Sequence, residues 1–465
     1  MTKEAGTQSY DLRLAWRALI ALCIGFFMIL LDQTVVAVAT PAFQEDYGAN
    51  LNQVVWVTSI YLLTFAVPLL FTGRLGDKFG QRNVYLVGMA MFTISSLACA
   101  LAPTVWWLVI ARAFQGLGAS ILTPQTMSVI NRLFPRDKRG AALGVWGMVA
   151  GLATLAGPIL GGFLVAAVGW RSIFLINVPI GVVSFALVWL WVPRMESAAS
   201  SIDIASVFVS IAGVFALVFG LQQGPHLGWP WWIFVLIAVG LLLGVVFVRL
   251  QARVAEPLIP LDIFSNHNFS LGAFSIATMG FAVAASPLPI MLYLQQAQGL
   301  SAEKAGLMLV PQALISGALS PFVGRLSDTA HPRTLSVIGF GSMVVGTAGL
   351  AVAMHADASY WWLLVPIVIL GLGNGFVWSP NSATAMRDMP IPRIGAASGV
   401  YNTTRQVGSV LGAAIVGAVM QMGEGSEWLG NALFVTAIVL VLGLISVTRF
   451  TSTLAHHQTT APGKG

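Results

Sequence analysis

The chain predicts an all-α polytopic membrane protein, and three observations predict it. Its 465 residues are 57% hydrophobic and only 9% charged, with a mean hydropathy of +0.84, whereas soluble domains carry about a quarter charged residues. Apolar runs of about 20 residues, long enough to cross a hydrocarbon core of about 30 Å, recur fourteen times. The 23 Lys and Arg and 17 Asp and Glu, net +6, fall mostly between those runs.

In chain order the runs lie near 18–43, 54–73, 83–102, 104–130, 140–168, 172–193, 203–222, 229–248, 270–295, 302–323, 334–354, 359–386, 394–420 and 429–448. With both termini cytoplasmic, the inner segments hold 19 Lys and Arg and the outer loops hold two, Arg171 and Lys304; Arg112 and Arg405 fall inside runs. The positive-inside rule then fixes the orientation in the cell membrane. The basic excess is a topology signal and gives no support to a nucleic-acid partner. Residues 1–17 are mixed polar and carry no cleavage-site pattern, so a retained cytoplasmic N-terminus is expected. Cys23 and Cys99 sit inside apolar runs and read as small buried hydrophobes, without disulfide or metal-ligand spacing. No cofactor is expected. The absence of a GxSxG elbow, a His/Glu metal spacing and a GxxxxGK[ST] loop argues against an enzyme, and His331, His355, His456 and His457 read as loop or tail residues.

The two halves resemble each other. VWWLVIARAFQGLG (105–118) aligns with YWWLLVPIVILGLG (360–373), and the same shift of 255 carries RGAALGVW (139–146) onto IGAASGVY (394–401). GRLGDKFGQR (73–82), between the second and third runs, has its counterpart in GRLSDTAHPR (324–333) between the tenth and eleventh. Three landmarks in one order give six helices, two extra helices, then six. The expected divisions are an N-terminal bundle at 18–193, the extra pair within 194–255, a cytoplasmic linker at 256–269, a C-terminal bundle at 270–448 and a tail at 449–465. Parallel repeats of this kind place a substrate pathway at their interface.

These residues resemble the major facilitator superfamily, specifically its fourteen-helix drug:proton antiporter branch of multidrug and quaternary-ammonium exporters, over nearly the whole chain. GRLGDKFGQR resembles the signature cytoplasmic loop, LVIARAFQGLG (108–118) the basic fourth-helix motif, GPILGG (157–162) the fifth-helix antiporter motif and LDQTVVAVATP (31–41) the first-helix motif. Three positions depart from the pattern: Ala37 stands where asparagine is common, Thr40 replaces a usual leucine and Ala153 a motif glycine.

Asp32 lies 15 residues after Arg17 and 13 before Glu45, roughly 20 Å from each at 1.5 Å per residue, which is the bilayer midplane. An ionisable group at that depth faces protein or water and marks a proton or substrate path; a helix–helix pair or a permanently neutral acid is the structural alternative. No other Asp or Glu is counted inside a run, and the shift-aligned position in the second half is Pro287. Pro41 marks a point where that first helix can bend. Arg112, about eight residues into its run, needs an internal partner, and Gln115 shares its face at i+3. The resemblance implies that Arg112 favours proton release from a nearby carboxyl; the alternative is an arginine that only joins two helices. Arg405, in SGVYNTTRQVGSVLG (398–412), lies about 15 Å inside its run by helical rise. Its alternatives are binding of an anionic substrate, pairing with a helix carbonyl, and a shift of the field at Asp32, and the structural or gating role is favoured.

Gly73 and Gly76 permit a tight turn in the cytoplasmic loop, while Arg74, Lys78 and Arg82 hold it at that face. The resemblance implies that Asp77 meets the start of the helix near Gly395 and latches the two halves; a merely topogenic basic loop is the alternative. Gly144, Gly157, Pro158, Gly161 and Gly162 thin one face of the fifth helix so that a neighbouring backbone can approach closely, a reading shared by a gate and by ordinary small-residue packing. The extra pair carries no embedded charge, and WPWW (229–232) reads as an interfacial anchor.

A pathway lined by Met28, Tyr61, Gln115, Phe281, Asn374 and Trp378 mixes thioether, aromatic and amide groups, suited to varied amphipathic molecules. The expected function is proton-driven export of hydrophobic, often cationic compounds by alternating access, with small amphipathic substrates, protons and membrane lipid as partners. The rivals are a dedicated exporter of one endogenous lipid, metabolite or antibiotic, and a transport-inactive sensor.

Overall fold

A long helix of 36 residues opens the fold, and its boundaries follow from side-chain chemistry. In the computed structural model, which describes residues 11–195, 203–254, 257–326, 331–390 and 394–451, α1 spans Leu12–Tyr47. The Asp11 carboxylate accepts from the Arg13 N–H at 3.0 Å, satisfying one of the donors that a helix start leaves open. Gly48, at φ 58°, closes the other end in the left-handed region. At 1.5 Å per residue α1 is about 54 Å long, well beyond the apolar thickness of a bilayer, and it continues through Pro41 without a break.

The remaining helices are α2 (Leu51–Ala66), α3 (Leu69–Phe79), α4 (Gln81–Ala100), α5 (Val105–Leu133), α6 (Arg136–Ala167), α7 (Ser172–Leu175), α8 (Asn177–Trp191), α9 (Ile204–Leu227), α10 (Trp231–Gln251), α11 (His267–Ala285), α12 (Pro287–Leu292), α13 (Ala302–Met308), α14 (Val310–Leu326), α15 (Pro332–His355), α16 (Leu364–Arg387), α17 (Ile394–Met420) and α18 (Ser426–Thr448). No strand occurs among the described residues. Asn50 and Gln53 cap α2 reciprocally, each side chain accepting from the other's backbone N–H at 3.0 Å. Eleven helical stretches among the described residues are long and apolar enough to cross a membrane. The other three apolar runs fall on α2 with α3, on α6 and on α17.

Two compact units result. The first comprises Met1–Leu258, Pro287–Val310 and Ala413–Gly425; the second comprises Ile259–Ser286, Pro311–Gly412 and Ser426–Gly465. In the first unit α1 packs against α6 and α8, and α5 against α2 and α4. In the second, α15 packs against α16 and α18, and α11 against the same two helices.

The internal repeat has a physical counterpart in each unit. A Cβ on Gly118 would stand 2.7 Å from the Phe92 nitrogen and 3.0 Å from the Gly88 carbonyl oxygen, so the α5 backbone lies directly on α4. Gly373, its shift-related partner, lies equally close to α15: a Cβ there would be 2.9 Å from the nitrogen of Met343, the counterpart of Gly88. Gly116 and Gly371 face the other neighbour, with Gly116 against α2 at Tyr61 and Gly371 against α14 at Gln312. The GxG of the aligned sequences is thus a pair of contact points that lets one helix touch two others.

The extra pair is held differently. Gly240 of α10 would place a Cβ 2.8 Å from the Leu217 nitrogen of α9, which joins the two helices backbone to backbone. Only 28% of the most apolar stretch of α9 and 11% of that of α10 is buried, against 61% for α1. Trp56 of α2 and Phe219 of α9, with ring centroids 5.9 Å apart, join the pair to the rest of the first unit.

Two expectations are corrected. The segment 73–79, expected as a loop, is helical: α3 runs to Phe79, and Gly80 alone, at φ 86°, makes the turn into α4. Gly73 and Gly76 serve packing instead. A Cβ on Gly73 would be 3.6 Å from Pro124, and one on Gly76 would strike the side-chain amide of Gln125, both in α5. That amide donates to the Thr72 carbonyl at 2.8 Å, which gives this closeness its use. The expectation that Asp32 is the sole acid within a run also fails at the margins. Asp203 and Glu303 fall inside the runs as drawn, but Asp203 is the cap of α9 and Glu303 lies in the first turn of α13. Both sit at helix starts, where a carboxylate is stabilised by unpaired N–H groups.

Candidate functional site

Asp32 is fully buried at 0% exposure, and Arg112 at 1% is the largest of the fully buried side chains. Asp32 lies in the middle of α1, and Arg112 projects from α5 to meet it. The guanidinium Nη1 donates to Asp32 Oδ2 at 2.5 Å and to Gln115 Oε1 at 2.7 Å, and Nε donates to the Val57 carbonyl of α2 at 3.4 Å. The second carboxylate oxygen, Oδ1, accepts from Gln115 Nε2 and from Asn177 Nδ2, each at 3.0 Å. Three donors from α5 and α8 therefore hold one carboxylate of α1.

The surroundings complete the cage. Ser96 of α4 accepts from Asn177 at 3.0 Å and from Gln115 at 3.3 Å, and its own hydroxyl donates to the Phe174 carbonyl at 2.9 Å. Cys99 donates to Gln115 Oε1 at 3.6 Å, so the thiol expected as a plain hydrophobe is a weak member of the network. The Tyr61 ring lies 4.0 Å from Arg112 Cζ and the Phe174 ring 5.8 Å, a cation–π arrangement strengthened by exclusion of water. Charge-assisted bonds to a desolvated carboxylate are strong individually, yet removal of either partner leaves an uncompensated buried charge. Chemically, a proton on Asp32 would cancel the charge that α5 and α8 grip.

The sequence-derived residues divide between the units. Asp32, Arg112, Gln115 and Tyr61 come together in one cluster, with Met28 one turn earlier on α1 and also fully buried. Phe281, Asn374, Trp378 and Arg405 belong to the second unit; Phe281 is 5% exposed, while Asn374, Trp378 and Arg405 are half-buried. Sequence reasoning missed Asn177 as a partner of the carboxylate, and Ser96 and Cys99 as partners of the amides that hold it. Asn177 is the sole amide in the run 172–193, which was the available signal.

The glycine face of α6 is close-packed on two sides. A Cβ on Gly161 would stand 3.3 Å from the Val35 Cα of α1, and one on Gly162 would stand 2.8 Å from the Ala302 carbonyl oxygen and the Glu303 Cα. Gly157 faces Thr34 of α1, and Gly306 of α13 faces the carbonyl of Pro158. Gln295 and Gln296 add bonds to α1, donating to the Val38 carbonyl and the Gln44 side chain at 2.9 Å each. Arg74 donates to the Pro257 carbonyl at 2.6 Å. Arg82 donates to the Trp189 carbonyl and stacks over its ring at 5.0 Å. The Asp77 side chain and the surroundings of Gly144 and Gly395 lie outside the described residues.

Comparison with known proteins gives the family. The Major Facilitator Superfamily model matches residues 22–203 and 202–413. The chain is 44% identical over 430 residues to an uncharacterised MFS-type transporter of Mycobacterium tuberculosis, covering 92% of this chain and 74% of that protein. It is 34% identical over 412 residues to the tetracenomycin C resistance and export protein of Streptomyces glaucescens, covering 87% and 76%. Other relatives are likewise named for drug or antibiotic resistance. The crystal structure of a D-xylose-proton symporter shares the fold, with a TM-score of 0.67 at 15% identity over 94% of this chain and 98% of that one. With these matches on the helices and repeats described above, the chain belongs to the Major Facilitator Superfamily and is a multi-pass membrane transporter, not an enzyme.

Proposed function

We propose that the protein is a proton-driven antiporter that exports hydrophobic small molecules across the cell membrane by alternating access, with fourteen spans and both termini in the cytoplasm. The observation that carries this reading is the buried Asp32–Arg112 pair with its amide donors. A carboxylate kept at 0% exposure by a cation and two neutral amides is a two-state element. Charged, it draws α5 and α8 onto α1; protonated, it releases the guanidinium to Gln115, the Tyr61 ring and the Val57 carbonyl. Proton binding thereby acts on helix packing, as a coupling between ion and conformation requires. The names of several relatives, which concern drug or antibiotic resistance and export, support the substrate side.

The close glycine contacts of α6 with α1 and α13 support a gate that must seal against protons. The test is accumulation of hydrophobic dyes in vesicles reconstituted with the protein under an imposed pH gradient. Gradient-driven flux in the parent protein, lost in Asp32→Asn, is the expected result. Undiminished gradient-driven accumulation in Asp32→Asn would defeat the assignment of the coupling proton.

A further inference from the structure

Arg405 is a charge that the mechanism above does not use. It sits within α17 of the second unit, half-buried. No carboxylate forms an ion pair with it among the described residues, and its guanidinium makes no hydrogen bond there. The pairing with helix carbonyls that would make it a structural arginine is therefore missing. What holds Arg405 is its backbone. A Cβ on Gly280 of α11 would strike the Arg405 carbonyl, Ser409 donates to that carbonyl at 3.2 Å, and the same hydroxyl reaches the Gly280 carbonyl at 3.1 Å. The side chain extends from this fixed point to α16, with Cζ 5.9 Å from the Trp378 ring centroid.

The next rung between the two helices is fully polar and satisfied. Asn381 of α16 donates to the Tyr401 hydroxyl at 2.7 Å, and Ser275 of α11 donates to Asn381 Oδ1 at 2.7 Å. The α16–α17 spacing at Arg405 and Trp378 is thus set by neighbours, without any bond from the guanidinium itself. Asn374 lies one turn from Trp378 on the same face of α16 and is half-buried like it. A rigidly mounted cation beside an indole, with its donors unspent and partly accessible, matches a planar acid: the ring lies on the indole and the carboxylate takes the guanidinium fork. Asp32, by contrast, has both oxygens occupied by three donors and offers no free face to a cation.

We propose that Arg405, Trp378 and Asn374 form a recognition site for aromatic organic anions, so that the exported compounds include aromatic carboxylates. This rests on the transport function proposed above. It also fixes the charge moved: one proton inward against one monoanion outward moves two positive charges inward per cycle, whereas exchange against a monocation moves none.

The test compares 2-naphthoate with 2-naphthyltrimethylammonium, two probes of one ring system and opposite charge, by equilibrium binding to the purified full chain in detergent. Tighter binding of 2-naphthoate is expected, weakened tenfold or more in Arg405→Gln and partly restored in Arg405→Lys, with the cation unaffected or favoured. Equal 2-naphthoate affinity in the parent and Arg405→Gln proteins, or parent binding of the cation alone, would overturn the site. Matching elution profiles and melting temperatures identify folded variants, and Arg405→Lys keeps the test alive if Arg405→Gln does not fold. Binding needs no pH gradient, so a parent protein without the anion preference, with dye flux intact, defeats this site alone. Absence of flux for any compound, with the anion preference intact, defeats the transport reading instead.

Discussion

Removing one member of the Asp32–Arg112 pair should cost far more than half of what removing both costs. In Arg112→Gln the carboxylate keeps Gln115 and Asn177 as donors but loses the one cation paired with it among the described residues, at 0% exposure. In Asp32→Asn the guanidinium keeps Gln115, the Val57 carbonyl and the Tyr61 ring but loses the one carboxylate paired with it among the described residues. Breaking a buried pair from one side costs about 3–5 kcal/mol, while replacing both charges by neutral groups is often close to neutral. Each single variant should thus lose about 3–5 kcal/mol and the double variant under about 3 kcal/mol, giving a coupling energy of at least about 3 kcal/mol. Unfolding in mixed micelles titrated with sodium dodecyl sulfate, followed by tryptophan fluorescence, measures all four proteins. Additive losses, with the double variant as unstable as the sum of the singles, would refute a direct ion pair between these residues.

Asn177→Leu removes one donor to Asp32 and one to Ser96 and should cost about 1–3 kcal/mol in the same assay; an unchanged midpoint would contradict its place in the cage. Gly162→Val should destabilise by about 1–3 kcal/mol or more, because the new atoms meet the backbone of Ala302 and Glu303 rather than a flexible side-chain tip; a neutral melting temperature would show that α6 and α13 are not in contact. Gly76→Ala displaces the Gln125 amide from the Thr72 carbonyl, so adding Gln125→Ala should recover part of its loss, and failure to recover any would count against that packing.

The sequence carried the architecture further than it carried the site. Apolar run length and charge placement are enforced by the bilayer itself, so the helices and the repeat could be read directly, down to the GxG that each unit uses for close contacts. Asp32 and Arg112 stood out because charge is rare in hydrocarbon, and Gln115 followed from i+3 geometry. Their direct contact, and the roles of Asn177, Ser96 and Cys99, depend on which faces of α1, α4, α5 and α8 meet. A lone amide such as Asn177 marks an apolar run but does not say which neighbouring helix it meets. The glycines at 73 and 76 misled for a related reason: a glycine that admits Gln125 from another helix and one that permits a turn are the same letter.

Arg405 illustrates the converse. Its depth was visible from the run, but the choice among anion site, carbonyl pairing and a field at Asp32 depended on partners. The backbone clamp at Gly280 and Ser409, with no bond from the guanidinium to any described residue, is information that only the packed helices contain.

The central claim is that Asp32 carries the coupling proton, and proton release on substrate addition tests it most directly. Hydrophobic compounds are added to unbuffered, detergent-solubilised protein while pH is followed. The parent protein should acidify the solution in a saturable way, and Asp32→Asn, with binding retained, should not. Equal proton release from both proteins would contradict the account.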